Sequence, residues 1–385
     1  IGQKLEGVSK LPKKASDYTV LFLTLLLVSI GIVMVFSASY YYAIDKYNDG
    51  YYYFKRQLMW AFVGLVAMII MMNYDYHKLQ KWSVTLLILS ILLLVAVFSP
   101  KFGVTLNSST RWIALGSITI QPSEIAKIAL IIFMASSMSR KGSAMRTFTK
   151  GMLPYLFVTA IFFILIVKQP NLSTALIIVM LCFIMMYSAG TRLWYIGSLV
   201  AVGVIAAWYI VSSGIISDTY WYKRIMIFMN PFKDPREDGF QLVQSLYALG
   251  SGGIFGVGLG NSIAKQFYLP MPQNDFIFSI IGEELGFAGA TAILILFVIL
   301  IWRGICIAIT AKDCFGRLLA TGIISVIALQ VILNVAVVTS SMPPTGVPLP
   351  FISAGGSSLS ITMASIGILL NISQYCKLGE GGSKN

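Results

Sequence analysis

The chain has 385 residues, 57% of them hydrophobic and 11% charged, with a mean hydropathy of +0.81. Soluble globular domains do not carry that balance, and repeated apolar runs of about 18 residues or more read as membrane spans. The formal net charge of +13 sits in short segments between those runs, which fits membrane orientation and anionic headgroups and excludes nucleic acid as the expected partner.

Ten apolar spans follow in chain order, near 18–39, 57–73, 83–98, 121–138, 151–167, 171–188, 193–212, 275–301, 316–340 and 354–374. The expected fold is an all-α polytopic membrane protein, with a long extracytoplasmic loop between spans seven and eight. Each span can cross roughly 30 Å of hydrocarbon at about 1.5 Å per residue. An even count puts both ends on one side. Basic residues choose that side: Lys4, Lys10, Lys13 and Lys14, loop residues from Lys78 to Arg317, and Lys377 and Lys384 make sixteen, against six on the opposite loops. The positive-inside rule then places both termini in the cytoplasm. Residues 1–16 and 377–385 read as cytoplasmic tails, and 17–376 as one membrane domain. The first 16 residues are polar and basic, so the first span is expected to double as the insertion signal. Cys182, Cys306, Cys314 and Cys376 show no metal-like spacing and read as reduced structural thiols.

The segment 213–274 is too apolar for disorder. Its GFQLVQSLYALG places Phe240, Val243, Leu246 and Tyr247 at helical spacing, as in an interfacial helix. The aromatic and basic TYWYKR upstream suits the headgroup layer. Glycines at 250–260 follow no strand and precede no GK[ST], so dinucleotide and P-loop readings fail. The single histidine, His77, has no metal cluster or serine partner in sequence.

Charges inside spans are few, and an intramembrane ionisable residue is a candidate functional group. Glu124 and Lys127 stand at i and i+3 in QPSEIAK. That spacing reads equally as a neutralising ion pair or as a ligand site. At 100° per residue Asp275, Gly282, Gly286 and Gly289 share one face of the eighth span, a groove that admits a helix or a lipid tail. Glu283 and Glu284, deeper in that span, are expected to serve neighbouring helices. Asp275 itself is either a helix N-cap or a chemical group at the membrane boundary. The proline- and glycine-rich SSMPPTGVPLPFISAGGSSLS cannot be a regular helix, and such backbone survives at membrane depth only when buried or lining a wet cavity. It converges with Asp275 and RWIALGSITIQPSE on the outer face. Arg111, Gln121, Ser123, Glu124, Lys127, Arg224, Lys265, Ser353, Gly355, Gly356 and Ser357 are the expected substrate contacts. Their chemistry suits an anionic headgroup on a lipid tail.

The motifs VFSAS (35–39), RWIALGSITIQPSEIAK (111–127), QPNLSTA (169–175), NPFKDPREDGFQLVQSLYALGSGGIFGVGLG (230–260), YLPMPQNDFIFSIIGEELG (268–286) and TGVPLPFISAGGSSL (345–359) resemble the SEDS family, whose members include FtsW, RodA and SpoVE. GLGNSIAKQFYLP is nearer the FtsW and SpoVE branch. The resemblance implies a ten-span peptidoglycan glycosyltransferase of the bacterial cell membrane. Such an enzyme polymerises lipid II at the outer leaflet, in division or sporulation, and releases undecaprenyl pyrophosphate. It would work with a class B penicillin-binding protein and other divisome or elongasome proteins. The family's essential aspartate falls on Asp275, and its conserved arginine, glutamate and lysine on Arg111, Glu124 and Lys127. Met271, Asn171, Ser173 and Ala354 depart from the family pattern, which puts contacts at those positions in doubt.

The expected chemistry is an inverting displacement with Asp275 as general base and Arg111, Lys127 and Arg224 facing the pyrophosphate. No metal-ligand set is legible, although Mg2+ or Mn2+ bridging Asp275 and pyrophosphate is compatible with that chemistry. A lipid II flippase and a structural scaffold for the penicillin-binding protein are the rival readings.

Overall fold

The computed structural model describes residues 15–100, 102–106, 109–116, 118–213, 220–232 and 239–376. The expected basic residues of both tails, Lys101, and the side chains of Tyr220, Trp221 and Lys223 lie outside the described residues.

Helices dominate. In chain order they are α1 (Tyr18–Tyr47), α2 (Tyr52–Asn73), α3 (Tyr76–Ala96), α4 (Pro122–Lys141), α5 (Leu153–Val167), α6 (Leu172–Ser188) and α7 (Leu193–Ser212). Then come α8 (Tyr220–Met229), α9 (Phe240–Ser251), α10 (Ile277–Thr310), α11 (Cys314–Val338) and α12 (Ser357–Ser373). Among the described residues eight helical stretches are long and apolar enough to cross a membrane, and the shorter α6 and α12 fall on the sixth and tenth expected spans. Local signals set several ends. Asp17 and Asp75 cap α1 and α3 through their carboxylates, Pro122 occupies the first turn of α4, and Asn171 caps α6.

Polar and small residues join the helices, as expected where lipid removes the hydrophobic drive. Helix α12 lies along α2: Ser360 Oγ donates to Trp60 O at 2.8 Å and Asn371 Nδ2 to Met72 O at 2.7 Å. The two ends of the described chain meet, with Asp17 N donating to Ser373 Oγ at 3.1 Å and Asp17 Oδ2 paired to Arg303 at 2.6 Å. Arg303 lies near the far end of α10 from Asp275, so Asp275 and the joined chain ends occupy opposite ends of the bundle.

Four expectations need amendment. The segment after α3 is a three-stranded antiparallel sheet, β1 (Gly103–Leu106), β2 (Ser109–Leu115) and β3 (Ile118–Ile120), rather than a loop. Its Thr- and Ile-rich run favours extended backbone, and the sheet adds to a helical architecture. The span placed at 275–301 starts at Ile277, runs to Thr310 and breaks at Gly286, where φ is 68° and ψ −171°. The shared glycine face therefore does not continue to Gly289. Finally, α9 is a helix as expected, but it buries Leu242, Val243, Ser245 and Ala248 and leaves Tyr247 exposed. Its inward face packs on α10, and the groove glycines accept protein: the missing Cβ of Gly282 is replaced by Leu249 Cδ2 at 2.5 Å, and that of Gly286 by Gly256 N at 2.2 Å.

Candidate active site

Asp275 sits in the turn that precedes α10. The first helical residue is Ile277 and the cap position is Phe276, with no side-chain cap bond. Asp275 is thus not the N-cap of α10. Its carboxylate accepts no hydrogen bond among the described residues, while its main-chain carbonyl accepts from Asn334 Nδ2 at 2.8 Å. The same amide donates to Val347 O at 2.7 Å, so α11 ties the Asp275 turn to the proline-rich loop. Gly346 of that loop faces the carboxylate. A Cβ there would lie 3.2 Å from Asp275 Oδ2, and φ is +75°. Only glycine meets both conditions without strain.

Two guanidinium groups reach this turn from distant segments. Arg111, on β2, donates through Nε to Gln169 O at 3.2 Å and through Nη2 to Pro170 O. Arg224, on α8, donates through Nη1 to Pro344 O. Ser173 Oγ donates to Thr345 O, which fixes the same loop to α6. Burial raises the Asp275 pKa above its ordinary value, and the charges of Arg111 and Arg224 pull it back down without cancelling the rise. The arrangement is a half-buried carboxylate under the charges of two cations, so proton transfer and anion binding can share one site.

The other expected contacts divide into two groups. Lys127 and Glu124 form a buried ion pair at 2.9 Å, and Ser358 Oγ donates to Glu124 Oε2 at 3.2 Å. They line a small internal cavity with Gln330, Thr362 and Ser365. Gln330 lies one turn from Asn334 on α11, about 6 Å deeper by helix rise. Lys127 is therefore a buried neighbour beneath the site, and it is Arg224 that joins Arg111 in acting on Asp275. Gln121, Ser123 and Ser357 build the α4–α12 junction: Gln121 Nε2 donates to Ser123 Oγ at 3.1 Å, and Gln121 N to Ser357 Oγ at 3.2 Å. Ser353, Gly355 and Gly356 shape the turn into α12, where Ser353 Oγ accepts from Leu349 N at 2.8 Å.

Lys265 lies elsewhere. Its ammonium is 2.7 Å from Glu284 and donates to Ser37 Oγ at 3.0 Å, with the side chain only 3% exposed. Glu283 accepts from the backbone N–H groups of Ile263 and Ala264 at 2.9 and 3.3 Å and from Ser262 Oγ. The two deep glutamates thus hold the segment 262–265 against α10 and α1, and a buried cation already neutralised in this way is poorly placed to meet an anionic substrate. Among the described residues no three His, Cys, Asp or Glu side chains gather as a metal site.

Sequence reasoning missed Gln273, Gln330, Asn334 and Gly346. The signal for two of them is visible in ALQVILNVAVV, where Gln330 and Asn334 recur at i and i+4 within an apolar span. Gln273 and Gly346 carry no such periodicity.

A helical membrane protein with a half-buried carboxylate under the charges of two arginines is the class this geometry defines. Comparison with known proteins sets the family. The sequence profile for FtsW, RodA and SpoVE, described as a cell cycle protein, matches residues 18–378, and the chain belongs to that family. Stage V sporulation protein E of Bacillus subtilis (strain 168) is 45% identical over 365 residues, covering 95% of this chain and 99% of the relative. A probable peptidoglycan glycosyltransferase FtsW of Trichlorobacter lovleyi is also 45% identical, over 94% of both chains. A chain from a study of how a peptidoglycan synthase complex coordinates polymerization and crosslinking superposes with a TM-score of 0.77 at 27% identity, over 93% of this chain and 98% of that one. RodA of Thermus thermophilus shares the fold, with a TM-score of 0.68 at 24% identity over 93% and 97% of the two chains.

Proposed function

We propose that this chain polymerises lipid II at the outer leaflet, with Asp275 as the general base. It is a peptidoglycan glycosyltransferase. The observation that carries the role of Asp275 is its carboxylate, half-buried in a turn ahead of α10 and not its cap, under the charges of Arg111 and Arg224.

Asp275 takes the proton from the 4-hydroxyl of the acceptor sugar as that oxygen bonds to the anomeric carbon of the donor. The bond from that carbon to the pyrophosphate oxygen breaks, and its electron pair leaves with undecaprenyl pyrophosphate. Attack from the opposite face inverts the anomeric centre. Arg111 and Arg224 meet the charge that develops on the leaving group, and Asp275 then returns its proton to water.

The positive-inside rule supports termini in the cytoplasm and the Asp275 end outside. The likeness to a synthase-complex chain supports assembly with a class B penicillin-binding protein that cross-links the product. The flippase alternative draws on the intramembrane pair Glu124–Lys127, which is closed by its own ion pair.

The deciding experiment is lipid II polymerisation by purified protein, with and without its penicillin-binding partner, for wild type, Asp275→Asn and Asp275→Ala. Glycan strands from wild type and a loss of about 10²–10⁴-fold in both folded variants are expected. Full activity in Asp275→Asn would remove the base assignment. Headgroup translocation into liposomes without polymer would favour the flippase.

A further inference from the structure

Ten side-chain nitrogen and oxygen atoms among the described residues are buried without a hydrogen-bond partner, and four of them belong to Gln273, Asn334 and Thr345. These three residues belong to the Asp275 turn and to the two segments that meet it, α11 and the proline-rich loop. Gln273 stands two residues before it, is 1% exposed, and has neither end of its amide bonded. Thr345 precedes Gly346, which faces Asp275 Oδ2, and its Oγ1 lacks a partner. Asn334 spends Nδ2 on the Asp275 and Val347 carbonyls and leaves Oδ1 unbonded. Unpaired buried polar groups are rare in folded proteins, and each asks for a water or a ligand. The displacement derived above uses none of these three side chains.

The unsatisfied set is uncharged and mixes one amide donor, two amide acceptors and a hydroxyl. A phosphate or carboxylate would meet the acceptors unfavourably, and a lone hydroxyl would leave most of the set unpaired. A secondary amide fits better, because it offers one C=O and one N–H on opposite edges of a fixed plane, one for an end of the Gln273 amide and the other for Thr345 Oγ1 or Asn334 Oδ1. We infer that Gln273, together with Thr345, binds the acetamido group of the amino sugar whose hydroxyl Asp275 deprotonates. The inference rests on the glycosyltransferase reading and adds a specificity contact to it. The loop 341–356 is tied to the main chain of Gln273, with Ala354 N donating to its backbone carbonyl at 2.9 Å.

The test compares lipid II with an analogue that carries a hydroxyl in place of the acetamido group on its terminal sugar. Two readouts are taken with the full chain in detergent: equilibrium binding, and the KM and kcat of polymerisation with the partner present. Wild type is expected to prefer the acetylated compound at least about tenfold, since a site built to hydrogen-bond a group rejects the analogue lacking it. Gln273→Met, close in volume, should cut that preference to about twofold or less. It should do so through binding and KM, leaving turnover of the analogue and the melting temperature unmoved. Gln273→Glu, which keeps the acceptor, should fall between. Equal binding of both compounds by wild type, or an unchanged preference in folded Gln273→Met, overturns the inference. A wild type that binds selectively but makes no polymer leaves this contact standing and removes the enzymatic reading instead.

Discussion

Two opposing effects act on Asp275: burial disfavours its charge, while Arg111 and Arg224 favour it, with burial ahead. A general base works only when ionised, so the acid limb of the pH profile of kcat/KM should lie above the ordinary carboxylate value of 3.8. Removing one cation takes away a lowering influence. Arg224→Gln is therefore expected to move the acid limb to still higher pH, by a displacement read directly from the rate profile of the polymerisation assay. An unmoved limb would mean that the titrating group is not Asp275. At this scale the sequence was partly legible. A lone carboxylate at the end of an apolar run and arginines in the segments between runs are visible because charge is expensive within the runs. Which cation serves which carboxylate was not visible. Lys265 and Lys127 carry the same charge as Arg111, but their nearest carboxylates come from Glu284 and Glu124, and for Lys265 that pairing depends on how 262–265 folds onto α10.

The helix α10 depends on its break. At Gly286 the backbone has φ of 68° and ψ of −171°, and a Cβ would fall 2.2 Å from Gly256 N and 2.5 Å from Ile254 O. Val257 N and Gly258 N donate to the carbonyls of Glu283 and Glu284 at 3.0 Å each, so the glycine segment after α9 satisfies carbonyls freed by the break. Gly286→Ala should therefore lower the melting temperature, with at least about 1–3 kcal/mol lost to backbone strain alone. Gly197→Ala, in α7 with nothing within 4 Å of the added carbon, should leave it unchanged or slightly raised, since alanine suits a helix interior. Circular dichroism in detergent would check both, and equal melting of the two variants would count against the packed break. The sequence pattern located every long helix because apolar length is a strong signal. It hid the break, since GEELG inside an apolar run reads as continuous helix. It also hid the small sheet, whose short alternating strands are a weak signal beside ten spans.

For the whole molecule, the orientation of the bundle decides whether Asp275 meets substrate at the outer leaflet. Asn261 and Ser143 are exposed, one on the segment beside α9 and one just past α4. With the native cysteines replaced by serine, an impermeant maleimide added to intact spheroplasts should label Asn261→Cys and spare Ser143→Cys. Lysis should expose the second. The reverse pattern would turn the protein over and remove the outer-leaflet reaction.

The pairing of α2 with α12 has a consequence for how the protein is made. Trp60 and Ser360 are bonded across 300 positions of chain. At about 5–20 residues per second, synthesis of that interval takes roughly 15 to 60 s. Through that interval α2 has already entered the bilayer, its small residue Gly64 still without the Ser360 and Met363 contacts it later makes. Helix α12 closes the bundle against α2 among the described helices, so a chain stalled short of residue 357 leaves the Gly64 face of α2 open to lipid or to another helix, an unfinished surface that lasts as long as the stall.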